Sequence, residues 1–210
     1  MKRLNLTVLS GLGLLLAACS AGNSAAPDGG RPPLPTGVEV RFPAAPTNAY
    51  LSLLTEDGTG VYQVSVPAGA TSAEVDPARW QAEEKNAQDV SLLLPAGTVE
   101  GSLKGSIGDA MARFLRWTMW QDKNANGIRD DGETLDLMTH DRVAYASQPF
   151  TAIFKTTPPD MQQSWKLAAG WSRAEHYVYL PRGSKTYIRS LETVKLQRYI
   201  LHVETPITSQ

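Results

Sequence analysis

The sequence predicts a mainly β protein, arranged as a β-sandwich with one or two short helices. Residues 38–42 alternate strictly between apolar and polar side chains, the pattern of a strand with one buried face. Residues 56–60 are EDGTG and lie between two apolar runs, and Asp-Gly supplies the positive φ angles that a tight hairpin requires. Turn residues separate most of the other runs, as in sandwiches of many short strands. The predicted strands are 38–42, 50–54, 61–66, 90–94, 135–138, 143–146, 150–155, 177–180, 187–191 and 196–203.

Two stretches carry the helix predictions. Residues 78–86 directly follow a proline, which is favoured at the first position of a helix, so this stretch can form a short one. Residues 109–121 fit either a helix that begins at Asp109 or a strand with an alternating apolar face. The residues on that alternating face are Leu115, Trp117 and Met119.

The N-terminus has the pattern of an export signal rather than of a folded element. Lys2 and Arg3 precede a mostly apolar stretch over residues 4–18, which is shorter than a membrane-spanning helix needs. The stretch ends in Leu-Ala-Ala-Cys at residues 16–19 and resembles the bacterial lipobox. That resemblance implies lipid attachment at Cys19, with cleavage just before it. The alternatives are an ordinary secretory signal with a chance cysteine, or a buried thiol.

The lipobox resemblance and the composition together suggest a domain organisation. We expect a signal peptide over residues 1–18, a flexible Pro/Gly-rich tether over 19–36 and the β-sandwich domain over 37–210, or two small β subdomains split near 96–108. The residue after Cys19 is serine rather than aspartate, which in a cell with two membranes favours the outer one. Cys19 is the single cysteine, so no disulfide within the chain is possible and the domain must rely on its core or on a metal.

The charge balance gives no electrostatic reason to expect a nucleic-acid partner. The 210 residues carry 20 Lys and Arg against 21 Asp and Glu, a formal net charge of −1. No second apolar run reaches membrane-spanning length, so we expect the membrane to be a partner only through a lipid on the N-terminal cysteine. The other expected partner is an unidentified envelope protein or glycan.

Residues 122–133, DKNANGIRDDGE, place oxygen-bearing side chains at every second position and then a glycine. The stretch fits the pattern D-x-[DN]-x-[DN]-G-x5-E of calcium loops. Ca²⁺ takes about six to eight oxygen ligands, and a chain wrapped around one ion presents them at this spacing. Glycine at the sixth position permits the turn that brings the next carbonyl inward. The candidate metal ligands are Asp122, Asn124, Asn126, the carbonyl of Ile128, Asp130 and Glu133.

The details of this pattern resemble strand-flanked rather than helix-flanked calcium loops. Helix-flanked EF-hands usually have an aliphatic residue at position 8 and an apolar one after position 12, where this chain has Arg129 and Thr134. The aliphatic residue here is Ile128, at position 7, as in the strand-flanked loops of B-type repeats in bacterial surface adhesins. The predicted fold is therefore an Ig-like or prealbumin-like sandwich with the loop between strands 109–121 and 135–138. The alternative is a solvated polar turn with no ion.

No residue pattern identifies a catalytic site. His140, His176 and His202 have no zinc-site spacing, and His140 with Asp141 fits a loop better than a hydrolase dipeptide. There is no nucleophile elbow and no phosphate-binding glycine loop. Five tryptophans could form a sugar-binding platform, although tryptophan is more often part of a core.

Three functions remain. The first is a non-catalytic lipid-anchored protein of the cell envelope, with a Ca²⁺-stabilised β-domain and a structural or adhesive role. The second is a module that binds carbohydrate or another ligand at the cell surface, which exposed tryptophans in a shallow groove would favour. The third is an unrecognised hydrolase, which a cleft with converging histidines and carboxylates would favour.

Overall fold

The structure, a computed structural model, describes residues 34–195 and 197–203. The described residues belong to one compact unit. The signal segment, Cys19 and most of the tether lie outside the described residues, and lipid attachment therefore stays a prediction. Within the described part of the chain, no helix is long and apolar enough to cross a membrane.

The prediction of a mainly β fold is confirmed. Two short 3₁₀ segments, Pro77–Asn86 and Val90–Leu93, are the helical elements of the part of the chain described here. The strands of that part are β1 (Val38–Arg41), β2 (Ala49–Thr55), β3 (Gly60–Val66), β4 (Ser72–Val75), β5 (Gln88–Asp89), β6 (Lys104–Ser106), β7 (Met111–Gln121), β8 (Arg142–Ala146), β9 (Phe150–Thr156), β10 (Met161–Leu167), β11 (Gly170–Tyr179), β12 (Tyr187–Val194) and β13 (Arg198–Ile200).

The strands form a small and a large sheet. The small sheet has the order β13-β1-β4, with β1 parallel to β13 and antiparallel to β4. The large sheet has the order β3-β2-β7-β8-β11-β12-β10-β9-β6, and β5 pairs additionally with β7. Its neighbours are antiparallel except for β10 and β12. This order places β12 between β11 and β10, although β11 lies between β10 and β12 in the sequence.

The first hydrophobic core takes residues from both sheets. Trp80, from the first 3₁₀ segment, is 1% exposed and meets Trp117 edge to face, with ring centroids 5.7 Å apart. Asp76 caps this segment, because its side chain accepts a hydrogen bond from the backbone N–H of Ala78 at 2.9 Å. The helix predicted over residues 78–86 is thus present as a 3₁₀ segment. Further buried members of this core are Val38, Val40, Leu51, Leu53, Leu115, Met119, Tyr199 and Leu201.

A second hydrophobic core lies on the large sheet alone, under the segment Val90–Leu93. Trp165 sits between Phe114 and Phe154, with ring centroids 5.2 Å and 5.0 Å away. Alanines fill most of the remaining strand positions, which lets the covering segment approach the sheet closely. The buried alanines are Ala110, Ala112, Ala144, Ala146, Ala152 and Ala174.

Strand β7 contributes to both cores, and this settles two sequence expectations. Residues 109–121 contain a strand rather than a helix. Its odd-numbered residues Leu115 and Trp117 enter the first core, whereas Phe114 enters the second. Because Trp117 and Trp120 are three residues apart, they lie on opposite faces of a strand, and the sequence predicts that at most one of them points fully inward. This prediction is wrong. They are 3% and 0% exposed, because Trp120 is covered on the other face by Tyr50, whose ring stacks on it at 4.7 Å.

Two predicted strands are absent from the described structure. Residues 90–94 form the second 3₁₀ segment instead, because Asp89 caps it by accepting a hydrogen bond from Ser91 N at 2.7 Å. Residues 135–138 make only isolated backbone contacts, such as Leu135 N to Met119 O at 2.9 Å and Met138 N to His202 O at 2.9 Å. The stretch after residues 122–133 therefore lies against β7 without becoming a regular strand.

Candidate functional site

Residues 122–133, which we call the acidic loop, leave the end of β7 and return to it. Asp122 N donates to the carbonyl of Asn48 at 2.9 Å, and Gln121 N donates to the carbonyl of Glu133 at 2.9 Å. These two bonds hold the first and last residues of the loop together at the end of the sheet. The side chains of both terminal residues are buried there, since Asp122 and Glu133 are each only 4% exposed.

The first half of the acidic loop is a tight turn in which side-chain oxygens accept backbone N–H groups. The Asp122 carboxylate accepts from Asn126 N at 3.1 Å and from Gly127 N at 2.8 Å. Asn124 Oδ1 also accepts from Asn126 N at 3.1 Å, and Asn126 Oδ1 accepts from Ile128 N at 2.7 Å. Gly127 has φ +73°, the left-handed conformation that the sequence pattern predicts at this position.

The second half of the acidic loop folds back onto the first. Asp130 Oδ2 accepts hydrogen bonds from the side-chain amides of Asn124 at 2.8 Å and Asn126 at 2.7 Å. The Glu133 carboxylate accepts from Lys123 N at 2.8 Å and from Asp130 N at 3.0 Å. All the predicted ligand positions with oxygen-bearing side chains are thus brought together. Ile128 is the sixth position, and its side chain is 64% exposed, which leaves only its carbonyl as a ligand.

The predicted carboxylate ligands of the acidic loop form no ion pair with a basic side chain in the part of the chain that the structure describes. None of Asp122, Asp130 and Glu133 has an ion-pair partner among the described residues. The ammonium of Lys123 donates to the carbonyl of Gly132 at 2.6 Å rather than to a carboxylate. Three carboxylates, two amides and a carbonyl are the hard oxygen donors that Ca²⁺ prefers. In the described part of the chain, no three His, Cys, Asp or Glu side chains are arranged to hold a metal ion, and Asp130 instead accepts from the asparagine amides.

The acidic loop also docks onto the hairpin formed by β2 and β3. Arg129 Nη2 donates to the carbonyl of Gly58 at 3.0 Å, in the turn of that hairpin. Gln63 Nε2 donates to the carbonyl of Gly127 at 3.4 Å. A cleft of about 420 Å³ lies between the loop and the hairpin. A change in the conformation of the acidic loop would therefore also affect β2, β3 and β7, which all contribute side chains to the first core.

A second polar region gathers histidines that the sequence spacing does not connect. His140 and Asp141 lie in a loop before β8, as predicted, but the ring of His140 lies against that of His176 with centroids 4.9 Å apart. Asp141 accepts from Arg173 Nε and from His176 N, both at 2.9 Å. Sequence reasoning missed this pair because the antiparallel pairing of β8 with β11 creates it. Only a correct prediction of that pairing could have found it.

The tryptophans are buried rather than arranged as an exposed platform. Trp80, Trp117, Trp120, Trp165 and Trp171 are between 0% and 6% exposed, so the prediction that tryptophan belongs to the core is confirmed for all five. His202 is exposed, and its ring Nδ1 lies 2.9 Å from the carbonyl of Met138.

Comparison of the chain with known protein families, with curated proteins and with solved structures gives no match.

Proposed function

We propose that this protein is a lipid-anchored component of the bacterial cell envelope, attached through Cys19, whose β-domain is stabilised by Ca²⁺ and serves a structural or adhesive role. The observation that carries the calcium part is the burial of Asp122 and Glu133, each 4% exposed with no ion-pair partner in the described structure. Burying an ionised carboxylate away from water is costly, and the two backbone N–H groups from which each carboxylate accepts offset part of that cost but leave the negative charge, which a cation would offset. A divalent cation would offset two of the three negative charges of Asp122, Asp130 and Glu133.

The ion would be held by the side chains of the acidic loop and by one carbonyl. Its chemistry there would be structural, since Ca²⁺ supplies charge and coordination without taking part in a reaction. Because the loop already bonds to the β2–β3 hairpin and to β7, fixing the loop would also fix these strands. The residues that would hold the ion are Asp122, Asn124, Asn126, Ile128 through its carbonyl, Asp130 and Glu133.

We propose a sandwich in which the small sheet packs on the β3-β2-β7 end of the large one. The buried side chains of Val38, Val40 and Tyr199 in the small sheet join one cluster with those of Leu51 and Trp117 in the large sheet, and this supports the proposal. The loop lies at the end of β7, one of the strands that would face the small sheet, which fits the resemblance to strand-flanked calcium loops.

An exposed apolar hairpin tip supports the interaction role. Strand β11 continues beyond its pairing with β8, which ends at Ala174, and the large apolar side chains of the tip of the β11–β12 hairpin are between 37% and 48% exposed. The rings of Tyr177 and Tyr179 stack on each other at 5.8 Å. A cluster of exposed apolar side chains on one element is typical of a surface that contacts another macromolecule, here an envelope protein or a glycan. The side chains are Tyr177, Val178, Tyr179, Leu180 and Tyr187.

Calorimetric titration of the purified protein with CaCl₂ tests the calcium part. We expect one site of roughly 0.1 mM affinity, in the range of extracellular calcium modules, and weaker binding of Mg²⁺, which prefers a rigid six-fold shell with retained water. Glu133→Gln should abolish the heat, because it removes a buried carboxylate from the loop. Unchanged binding in that variant would place the ion elsewhere and contradict the assignment.

Membrane partition tests the anchor. The wild-type protein should be recovered in the membrane fraction of bacterial cells, whereas Cys19→Ser should be released or misprocessed because it cannot receive the lipid. A matched control is Ser20→Ala, which leaves the lipobox cysteine in place and should still partition with membranes. Recovery of the wild-type protein as a wholly soluble species with an unmodified Cys19 would overturn this part.

A further inference from the structure

A cleft of about 410 Å³ opens on the face of the large sheet at the edge of the second core. Cross-strand pairing builds its floor. His176 on β11 pairs with Leu191 on β12, and Leu191 pairs with Trp165 on β10. The neighbouring row places Arg189 on β12 beside Gln163 on β10. Directly paired residues project from the same face of a sheet, so both rows point into the cleft, which the 92–95 segment borders.

The charges in the cleft leave one guanidinium group available. Arg142 is paired with Glu56, with Nε and Oε1 2.6 Å apart, and it also donates to the carbonyl of His140 at 2.8 Å. Arg189 is exposed and has no hydrogen-bond or ion-pair partner among the described residues. The two arginines and one glutamate that line the cleft therefore leave one net positive charge when the histidines are neutral.

The histidine environment is consistent with a positive potential in the cleft. Burial is the main cause that lowers the pKa of His176 to about 4, and the charges of His140, Arg189 and Arg142 lower it further. The His176 ring is therefore a neutral hydrogen-bonding group at neutral pH. Beside it, the floor is apolar, formed by Trp165 and Leu191. The cleft thus joins one available cation to a polar ring and an apolar surface.

We propose that this cleft binds a small organic monoanion, a carboxylate attached to an aromatic or branched aliphatic body. The guanidinium of Arg189 matches the two oxygens of a carboxylate, which it can bind in a bidentate manner. The apolar body would lie against Trp165 and Leu191, and the volume suits a small molecule. The site does not favour a phosphate dianion, because the net positive charge is single and the Glu56 carboxylate lies at the same cleft.

Binding suits the cleft better than hydrolysis. None of the described residues that line it is a serine, threonine or cysteine, and its one carboxylate, Glu56, is paired with Arg142. A nucleophilic reaction through a covalent intermediate would need such a group free and directed at the substrate, so His140 and His176 line the cleft with no described nucleophile beside them to activate. The proposal is independent of calcium binding, since the acidic loop contributes no residue to this cleft.

Calorimetric titration of the purified full chain with phenylacetate tests the proposal, with phenylacetamide as the neutral analogue of the same shape. We expect phenylacetate to bind and the amide to bind about tenfold to a hundredfold more weakly, because it cannot form the charge-assisted pair with Arg189. Phenyl phosphate and a disaccharide such as cellobiose complete the series, and both should bind more weakly than phenylacetate. A stronger response to either would overturn the monoanion assignment.

Two Arg→Gln variants test whether phenylacetate binds at this cleft. Arg189→Gln should remove the preference for phenylacetate over phenylacetamide while leaving the melting temperature within a few degrees of wild type, because the side chain is exposed. Arg182→Gln removes an exposed arginine outside the cleft and should keep the preference. Equal loss in both variants, an unchanged preference in Arg189→Gln, or no binding of phenylacetate up to about 10 mM, where weak small ligands are still detected, would contradict the proposal.

Discussion

The acidic loop and the cleft of His140 and His176 are both polar, but they are built in different ways. In the loop, twelve consecutive residues supply the charged groups, and their own backbone N–H groups position them. In the cleft, the groups come from β8, β10, β11 and β12 and from the loops around them, and strand pairing brings them together. A site made from one stretch leaves a spacing pattern in the sequence, whereas a site made by sheet topology leaves none.

The two regions also differ in how their charges are compensated. The three carboxylates of the acidic loop that are predicted ligands have no ion pair in the described structure, so a cation should stabilise the loop. Beside the cleft, Asp141 forms an ion pair with Arg173 and accepts the backbone N–H of His176, whose ring lines the cleft and is kept neutral by burial. The loop should therefore respond to calcium, whereas the cleft region should respond to loss of its ion pair and to pH.

Loss of the Asp141 charge should give the largest change in stability. Asp141 and Arg173 are 14% and 12% exposed, and the aspartate also accepts the backbone N–H of His176. Asp141→Asn leaves the guanidinium of Arg173 with Glu175 as its remaining carboxylate partner, at 2.7 Å. We expect a cost of about 2–3 kcal/mol in the free energy of unfolding, measured by denaturant titration with and without Ca²⁺.

The exposed pair in the same region provides the matched control. Glu56→Gln breaks the ion pair of Glu56 with Arg142. Because these two side chains are 53% and 24% exposed, the loss should cost less than about 1 kcal/mol in the free energy of unfolding. Equal costs in the two variants would show that Asp141 does not hold the cleft together. If the cost of Asp141→Asn depends on calcium, the acidic loop and the cleft are coupled, and this would contradict their independence.

The pH dependence of the free energy of unfolding should give the next largest effect, and it should distinguish the cleft from the acidic loop. The pKa of His176 is lowered in the folded protein from 6.5 to about 4, chiefly by burial. Between these values the unfolded state binds more protons, so stability falls as the pH drops from about 6.5 to about 4 and this contribution is constant above that window. The ring is partly open to solvent, and we therefore expect about 1 kcal/mol rather than the larger value that the full shift implies.

Comparison with a histidine variant isolates this contribution from that of the acidic side chains. His176→Gln should flatten the difference in stability between pH 6.5 and pH 4 by that amount, whereas His202→Gln, at an exposed position, should keep the wild-type slope. Denaturant melts at several pH values give the measurement. Parallel slopes for wild type and His176→Gln would contradict the assignment of a buried neutral ring.

The sequence predicts the parts of this molecule whose structure depends on residues that are close together in the sequence. The hairpin of β2 and β3 and the turn at Gly127 follow from Asp-Gly and Asn-Gly chemistry, and both are observed. Strand β7 is only half predictable, because alternation describes one buried face and this strand buries both. Strand β10 was not predicted, since Gln163 is polar, and it is buried because its amide donates to Thr156 Oγ1 at 2.9 Å.

The melting temperature of the protein in EDTA and in excess Ca²⁺ tests the central claim most directly. A cation that binds only the folded form stabilises it, so the proposed site, with an affinity of about 0.1 mM, should add about 2 kcal/mol at a few millimolar Ca²⁺, a rise of a few degrees. Asp122→Ala should abolish the rise, because it removes a buried carboxylate that accepts from Gly127 N, whereas Asp131→Ala, at an exposed position outside the ligand set, should keep it. Identical wild-type curves in EDTA and Ca²⁺ would contradict the account and leave residues 122–133 as a polar turn.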